Sequence, residues 1–297
     1  MKTTPPILCI GSVLWDIIGR SPRKMAAGED VPGRILRIPG GVAMNIAMAL
    51  RMHDLPVSLL SALGDDAAGR ELLLNCAARG METQYVTVSP DHPTDQYMAI
   101  EGTNGLIAAI ADAHSLEQLS EQVISPLQDG RLGSAQTPYA GMMICEGNLP
   151  QKTLAHIAGG PEFSAADIRL APASPGKAAR LSPFLQHNQA TAYLNLIEAN
   201  ILLGESFGTS TKAAALLTKR GLYRAVVTDG PKPAAISQGG NAITLSPQDV
   251  KVLRVTGAGD VFMASHISAE INGLRDAPAL QFALDTTAKY ISTETPL

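Results

Sequence analysis

Apolar residues along the chain follow two alternating rhythms. Short continuous runs bounded by glycine, proline or polar residues predict buried strands: "PILCIGSV", "PVSLLSALG", "YAGMMICEG", "YLNLI" and "YRAVVTDG". Between them, apolar residues three and four apart predict helices: "GGVAMNIAMALRMH", "DAAGRELLLNCAARG" closed by Gly80, "PQKTLAHIAGG" and "STKAAALLTKRG". Two more helices start near Gly259 and Asp276. This βαβα order predicts an α/β fold, a mostly parallel sheet covered by helices on both faces. Two segments break the order. Residues 17–38 and 92–111 read as short strands, the second turning at Asn104-Gly105. They predict a small sheet beside the main body, a lid inserted into one domain spanning residues 1–297. "LAPASPGKAAR" reads as a loop entering a helix.

Composition refines this by exclusion. A chain of 297 residues can bury a large core. With 45% hydrophobic and 17% charged residues it has a globular balance, and no apolar run approaches a membrane span. A net charge of −4 gives no basic footprint for nucleic acid, and 4% aromatics leave little for base stacking. Asp16 interrupts the apolar N-terminal run, which reads as a buried first strand rather than a signal peptide. Cys9, Cys76 and Cys145 are odd in number and widely spaced. They read as core thiols of a cytoplasmic protein, with no zinc site.

The candidate chemistry centres on "RVTGAGDVFMASHI", residues 254–267. A Gly-x-Gly turn entering a helix is a place to bind phosphate. Phe262 occupies the third glycine position of a dinucleotide fingerprint, which argues against a nicotinamide-dependent oxidoreductase. No Walker-type loop is present. Asp260 reads either as a charge complementing the helix N-terminus, or as a base beside an anion site. In the second reading Gly257–Gly259 hold phosphoryl oxygens while Asp260 orients an attacking hydroxyl and takes its proton. Gly40-Gly41 is a second glycine pair entering a helix, one that carries Asn45. It serves either a close backbone contact or a polar ligand. Asp16 reads as a strand-end turn residue or a ligand-binding one. Asn195 and Glu198, three apart, read as a solvated helix face or as a site where one carboxylate holds Mg²⁺ through water.

Three ordered motifs then carry a resemblance: "PGGVAMNIAMAL", "NLIE" and "VTGAGDVFMA". The chain resembles the PfkB, or ribokinase-like, carbohydrate kinases over nearly its full length. That likeness implies a three-layer αβα fold with a β lid, ATP, Mg²⁺ and transfer to a primary hydroxyl. Within the family, "PGRILRIPGGVAMNIA", "DQYMAIEGTNGLIAAIADAHSL" and "VTGAGD" are similar to the pseudouridine kinases. "APASPGKAARL" is similar too, with Ala171 standing where their aspartate falls. The resemblance implies Asp260 as catalytic base and Gly257, Ala258 and Gly259 as anion hole. It implies the Gly40-Gly41 turn, Asp16 and Asn45 at ribose hydroxyls, and Tyr97 and Asp112 meeting the base or sugar from the lid. Asn195 and Glu198 would organise Mg²⁺ and phosphate, and Thr228 and Gly230 would begin the nucleotide loop. Three departures stand out. "TDGPKPA" lacks the loop's second glycine. Arg254 replaces an aspartate that holds a monovalent cation in many relatives, which argues against potassium activation. Leu14 replaces a residue that is polar in many nucleoside-binding relatives. The apolar "LIAAIA" is compatible with a homodimer through the lid. A kinase of another nucleoside or of a free sugar, and a catalytically silent nucleoside-binding protein, remain as alternatives; the intact Asp260 and glycine turn argue against the last.

Overall fold

The structure, a computed structural model, describes residues 5–293. Its centre is an eight-stranded sheet. In spatial order the strands are Asn241–Leu245, Lys232–Gln238, Arg224–Asp229, Thr191–Asn195, Asp167–Ala171, Met142–Glu146, Ile7–Ile10 and Val57–Leu60. The six from Arg224–Asp229 to Val57–Leu60 are parallel, and the last hairpin adds two antiparallel strands.

Burial on both faces explains the continuous apolar runs. Along Ile7–Ile10, Leu8 and Ile10 enter one core while Ile7 and Cys9 enter the other. Helices Val42–Arg51, Ala67–Ala78, Ala258–Ile271 and Asp276–Ile291 cover the second core. Helices Gln151–Gly159, Leu196–Leu203 and Ser210–Lys219 cover the first. All three cysteines are buried and free. Among the described residues, no helix is long and apolar enough to cross a membrane.

The strand Ile7–Ile10 pairs with Val57–Leu60 on one side and, much later in the chain, with Met142–Glu146 on the other. Such a switch point opens a crevice at the carboxyl ends of the strands, where α/β proteins bind ligands.

A separate four-stranded sheet, in the order Arg34–Gly40, Leu14–Arg20, Gln96–Gly102, Gly105–Asp112, forms the lid. Its strands span 14–40 and 96–112, against the 17–38 and 92–111 read from the pattern. The first core strand stops at Ile10, and Asp16 lies in the first lid strand rather than at the end of the core strand. The break falls at Gly11, where a Cβ would overlap the Glu146 carboxylate.

Two further differences have local causes. "DIRLA" is a central strand although Asp167 and Arg169 disguise its apolar pattern; the two side chains pair with each other at 2.7 Å. "PGKAARLSPF" forms 3₁₀ turns rather than an α-helix, with Pro183 inside the segment.

Candidate active site

The "VTGAGD" turn closes where its sequence requires. Gly257 adopts φ +80°, a left-handed conformation that only glycine adopts at little cost, and starts the Ala258–Ile271 helix. The Ala258 N–H closes a turn onto the Val255 carbonyl at 3.0 Å. The N–H groups of Gly259 and Asp260 have no backbone or side-chain acceptor among the described residues. They remain as donors at a positive helix end. Of the three residues assigned to the anion hole, Ala258 thus has its amide engaged.

Asp260 stands in the first turn of that helix, on the wall of a cavity of about 520 Å³. Its carboxyl is pushed up to about 7. Burial is the main cause. Asn45 opposes it as a hydrogen-bond donor, and the charges of Glu146, Glu198 and Asp16 add to the rise. A carboxylate raised to that range is matched to accepting a proton at neutral pH.

Asp16 and the Gly40-Gly41 turn form a second centre. A Cβ on residue 40 would overlap the Asp16 carboxylate, and one on residue 41 would overlap the Ser12 carbonyl. Gly41 also sits at φ +95°. Both positions therefore exclude a side chain. Burial lifts the Asp16 carboxyl to about 6. Tyr97 pairs with Asp16 across adjacent lid strands, and its phenol is raised by burial and by the Asp16 charge. Asp112 pairs instead with Gln96, one rung away, and alternation puts it on the opposite face of the lid. It is exposed, and the fold does not bring it together with Asp16 and Tyr97.

Glu146 was not singled out by its sequence, yet it is fully buried at the switch point. Its two oxygens accept from Ser12 N at 2.6 Å and Asn148 N at 2.7 Å. Ser12 Oγ in turn accepts from Val42 N at 2.9 Å and Asn148 Nδ2 at 3.0 Å. Lys177 donates to Asn148 Oδ1. This network ties the first core strand to the helix that carries Asn45. A lone glutamate ending an apolar strand was the only sequence signal for it.

Asn195 and Glu198 form a reciprocal cap on the Leu196–Leu203 helix. Asn195 Oδ1 accepts from Glu198 N at 2.9 Å, and Glu198 Oε2 accepts from Asn195 N at 2.8 Å. Both line the Asp260 cavity. Burial raises the Glu198 carboxyl, and its bonds to Asn195 oppose that rise.

Thr228 and Gly230 line this cavity and also a neighbouring one of about 460 Å³. The neighbour is walled by Ala234, Val250, Val252, Phe262, Leu284 and Ile291. An apolar slot opening onto helix-end amides and a carboxylate suits a flat base joined to phosphates. The residues 247–252 and 284–291 of its wall carried no motif.

A profile described as pfkB family carbohydrate kinase matches residues 5–295. The chain belongs to the PfkB family of carbohydrate kinases. As a PfkB kinase it is similar to pseudouridine kinase of Escherichia coli (strain K12), 26% identical over 299 residues, covering 99% of this chain and 93% of the relative. It is also similar to ribokinase of Bacillus subtilis (strain 168), 27% identical over 290 residues, covering 93% and 89%. A ribokinase II-type protein of Escherichia coli, solved in complex with ATP and Mg²⁺, superposes with a TM-score of 0.76 at 18% identity, covering 98% of this chain and 94% of that one. That likeness gives the PfkB kinase its ribokinase-like fold.

Proposed function

We propose that this PfkB kinase transfers the γ-phosphoryl group of ATP to the 5′-hydroxyl of pseudouridine, giving pseudouridine 5′-phosphate and ADP. The observation that carries the phosphotransfer is Asp260: a carboxyl lifted to about 7, one residue after the free Gly259 amide, on a cavity shared with Glu198. Asp260 takes the proton of the acceptor hydroxyl as that oxygen bonds to phosphorus and the bond to ADP breaks. The turn's free amides face the phosphoryl oxygens and stabilise their charge. The apolar slot takes the adenine, with Thr228 and Gly230 at its junction with the phosphates. The nucleotide relation to ATP and Mg²⁺ follows the ribokinase II-type neighbour.

Among the described residues, no group of three acidic, histidine or cysteine side chains could cage a metal ion. One cavity-lining carboxylate, Glu198, fits Mg²⁺, which keeps several waters and takes few protein ligands. When bound with ATP, Mg²⁺ neutralises phosphate charge. Glu198 would hold it through water, and Asn195 fixes Glu198.

Asp16 and the Gly40-Gly41 turn clamp the ribose hydroxyls with Asn45, and Tyr97 meets the base or sugar from the lid. Pseudouridine is favoured by the lid likeness and by the Escherichia coli relative. A free pentose is the competing acceptor, favoured by the similarity to ribokinase and by the apolar, buried Leu14. A screen of ADP release with pseudouridine, uridine, adenosine, ribose and fructose 6-phosphate tests the assignment. Pseudouridine should give the highest kcat/KM; turnover of a free sugar or purine nucleoside alone would refute it.

The lid also exposes Ile35 and Ile110, at 78% and 69%, beside Met98 on the face away from Asp16. A second copy of this chain covering that face is part of the same proposal, and light scattering on the Ile110→Lys variant would read its loss as a monomer.

A further inference from the structure

The anion-binding turn is gripped from behind by the end of the last helix. Leu253 N and Arg254 N both donate to the Ile291 carbonyl, at 2.8 and 3.3 Å. The Arg254 guanidinium lies over the Tyr290 ring, 3.6 Å from its centroid. Its Nε donates to the Tyr290 carbonyl at 3.0 Å and a terminal nitrogen donates to Thr293 Oγ1 at 3.3 Å. Tyr290 returns the contact: its hydroxyl donates to the Thr256 carbonyl at 3.0 Å. Thr256 immediately precedes Gly257. One residue of the last helix therefore holds both sides of Val255.

Among the described residues, the only other hydrogen bond to residues 253–256 is the turn from the Ala258 N–H to the Val255 carbonyl. Val252, Leu253 and Val255 are exposed at 54%, 44% and 72%, so burial of their side chains does not fix the backbone. A guanidinium is always charged, and a helix C-terminus offers unsatisfied carbonyls and partial negative charge. Arg254 meets both needs at once. The same loop ends in the turn whose Gly259 amide must be in place when charge develops on a phosphoryl group.

We propose that Arg254 and Tyr290 are positioning residues, a clamp that fixes the Gly257–Gly259 turn in its anion-binding orientation. This rests on the kinase reading of the site. Neither residue belongs to the Asp16 centre, so the clamp does not act on acceptor binding; Arg254 also lines the neighbouring slot, so the kcat of its variant is read at saturating ATP.

The sharpest variant is Tyr290→Phe, which keeps the ring beneath Arg254 and removes only the bond to Thr256. It should lower kcat roughly 3- to 10-fold, the worth of one hydrogen bond, with acceptor KM within about twofold of wild type. Arg254→Met should lower kcat further, up to about 100-fold, as expected for a small misplacement of catalytic groups. Guanidinium ion should restore part of that loss, and urea should not. Without turnover, amide hydrogen exchange of Arg254 and Ala258 reads the clamp directly and should accelerate in Tyr290→Phe. If wild type phosphorylates no acceptor, the kinase reading falls while exchange still decides the clamp. The clamp is overturned by unchanged exchange in Tyr290→Phe, by kcat within twofold of wild type, by acceptor KM rising in step with the loss of kcat, or by urea rescuing as well as guanidinium.

Discussion

Gly40 lies diagonally across from Asp16 on the first two lid strands, and so close that a single methyl group on residue 40 would occupy the place of the Asp16 carboxylate. In the proposed acceptor site the glycine therefore matters although it has no side chain. Gly40→Ala should displace Asp16 and raise the acceptor KM at least about tenfold, the worth of one or two charge-assisted hydrogen bonds. The KM for ATP should hardly move, since the slot proposed for the nucleotide is built from other elements. Steady-state kinetics with each substrate varied in turn checks this; equal losses for both would mean that the lid had misfolded.

As the proposed base, Asp260 should make both activity and stability depend on pH. Its carboxyl rises from an ordinary 3.8 to about 7 in the fold. The base must be ionised, so kcat/KM should climb with pH through about 7. Stability runs the other way. The folded state holds the proton more tightly than the unfolded chain, so this contribution is fully present below about pH 4 and lost as pH rises through about 7. Asp260→Asn should lower kcat about 10²- to 10⁴-fold, abolish the rising limb, and gain in Tm over wild type as pH goes from 4 to 7. A variant that keeps wild-type turnover would reduce Asp260 to a helix-end charge.

Glu198 caps its helix with Asn195, and one pair of variants separates that task from the proposed one at Mg²⁺. Glu198→Gln keeps a side-chain oxygen for the Asn195 N–H and so keeps the cap. It should leave unfolding free energy within about 0.5 kcal/mol of wild type. The Mg²⁺ concentration for half-maximal activity should still rise roughly 10-fold or more. Glu198→Ala should show the same metal effect and lose about 1 kcal/mol of stability besides. Denaturant unfolding alongside Mg²⁺ titration of activity measures both.

Most elements were legible because their patterns are local. The parallel strands bury both faces and so read as unbroken apolar runs, and Gly257 and Gly41 mark turns that need their backbone freedom. What was hidden depends on partners far along the chain. Arg169 is tolerated in a central strand because Glu270, 101 residues on, meets it at 2.6 Å. Glu146 becomes part of the site only because Ser12 folds onto it across 134 residues. The apolar slot proposed for adenine draws one wall from an irregular loop and another from the helix Asp276–Ile291, so no periodicity marks it. Asp16 was read at the end of the first core strand but lies in a lid strand, because the core strand breaks at Gly11 against Glu146.

The buried cluster around Glu270 anchors the Ala258–Ile271 helix to the sheet. Burial alone would raise this carboxyl, but Arg169 and Arg224 hold it down at about 2. The two arginines approach it at 2.6 and 2.5 Å. Glu270→Ala leaves Arg224 without a carboxylate and Arg169 with Asp167 alone, and should destabilise the fold by about 3–5 kcal/mol. Loss below about 1 kcal/mol in urea unfolding would show that water reaches the cluster.

The choice of acceptor is tested most directly by competition. Equimolar pseudouridine, uridine and ribose are incubated with ATP, Mg²⁺ and the enzyme, and the early products are resolved by mass spectrometry and phosphorus NMR. Pseudouridine alone carries a free N1–H donor on its base, and a lid acceptor built for it loses its partner when uridine binds. An unpaired buried polar group costs about 1–3 kcal/mol, so pseudouridine 5′-phosphate should outrun uridine 5′-phosphate by about 5- to 150-fold. Ribose 5-phosphate should trail both, because the free sugar gives the lid no base to close on. A product mixture led by ribose 5-phosphate or uridine 5′-phosphate would contradict the assignment of pseudouridine.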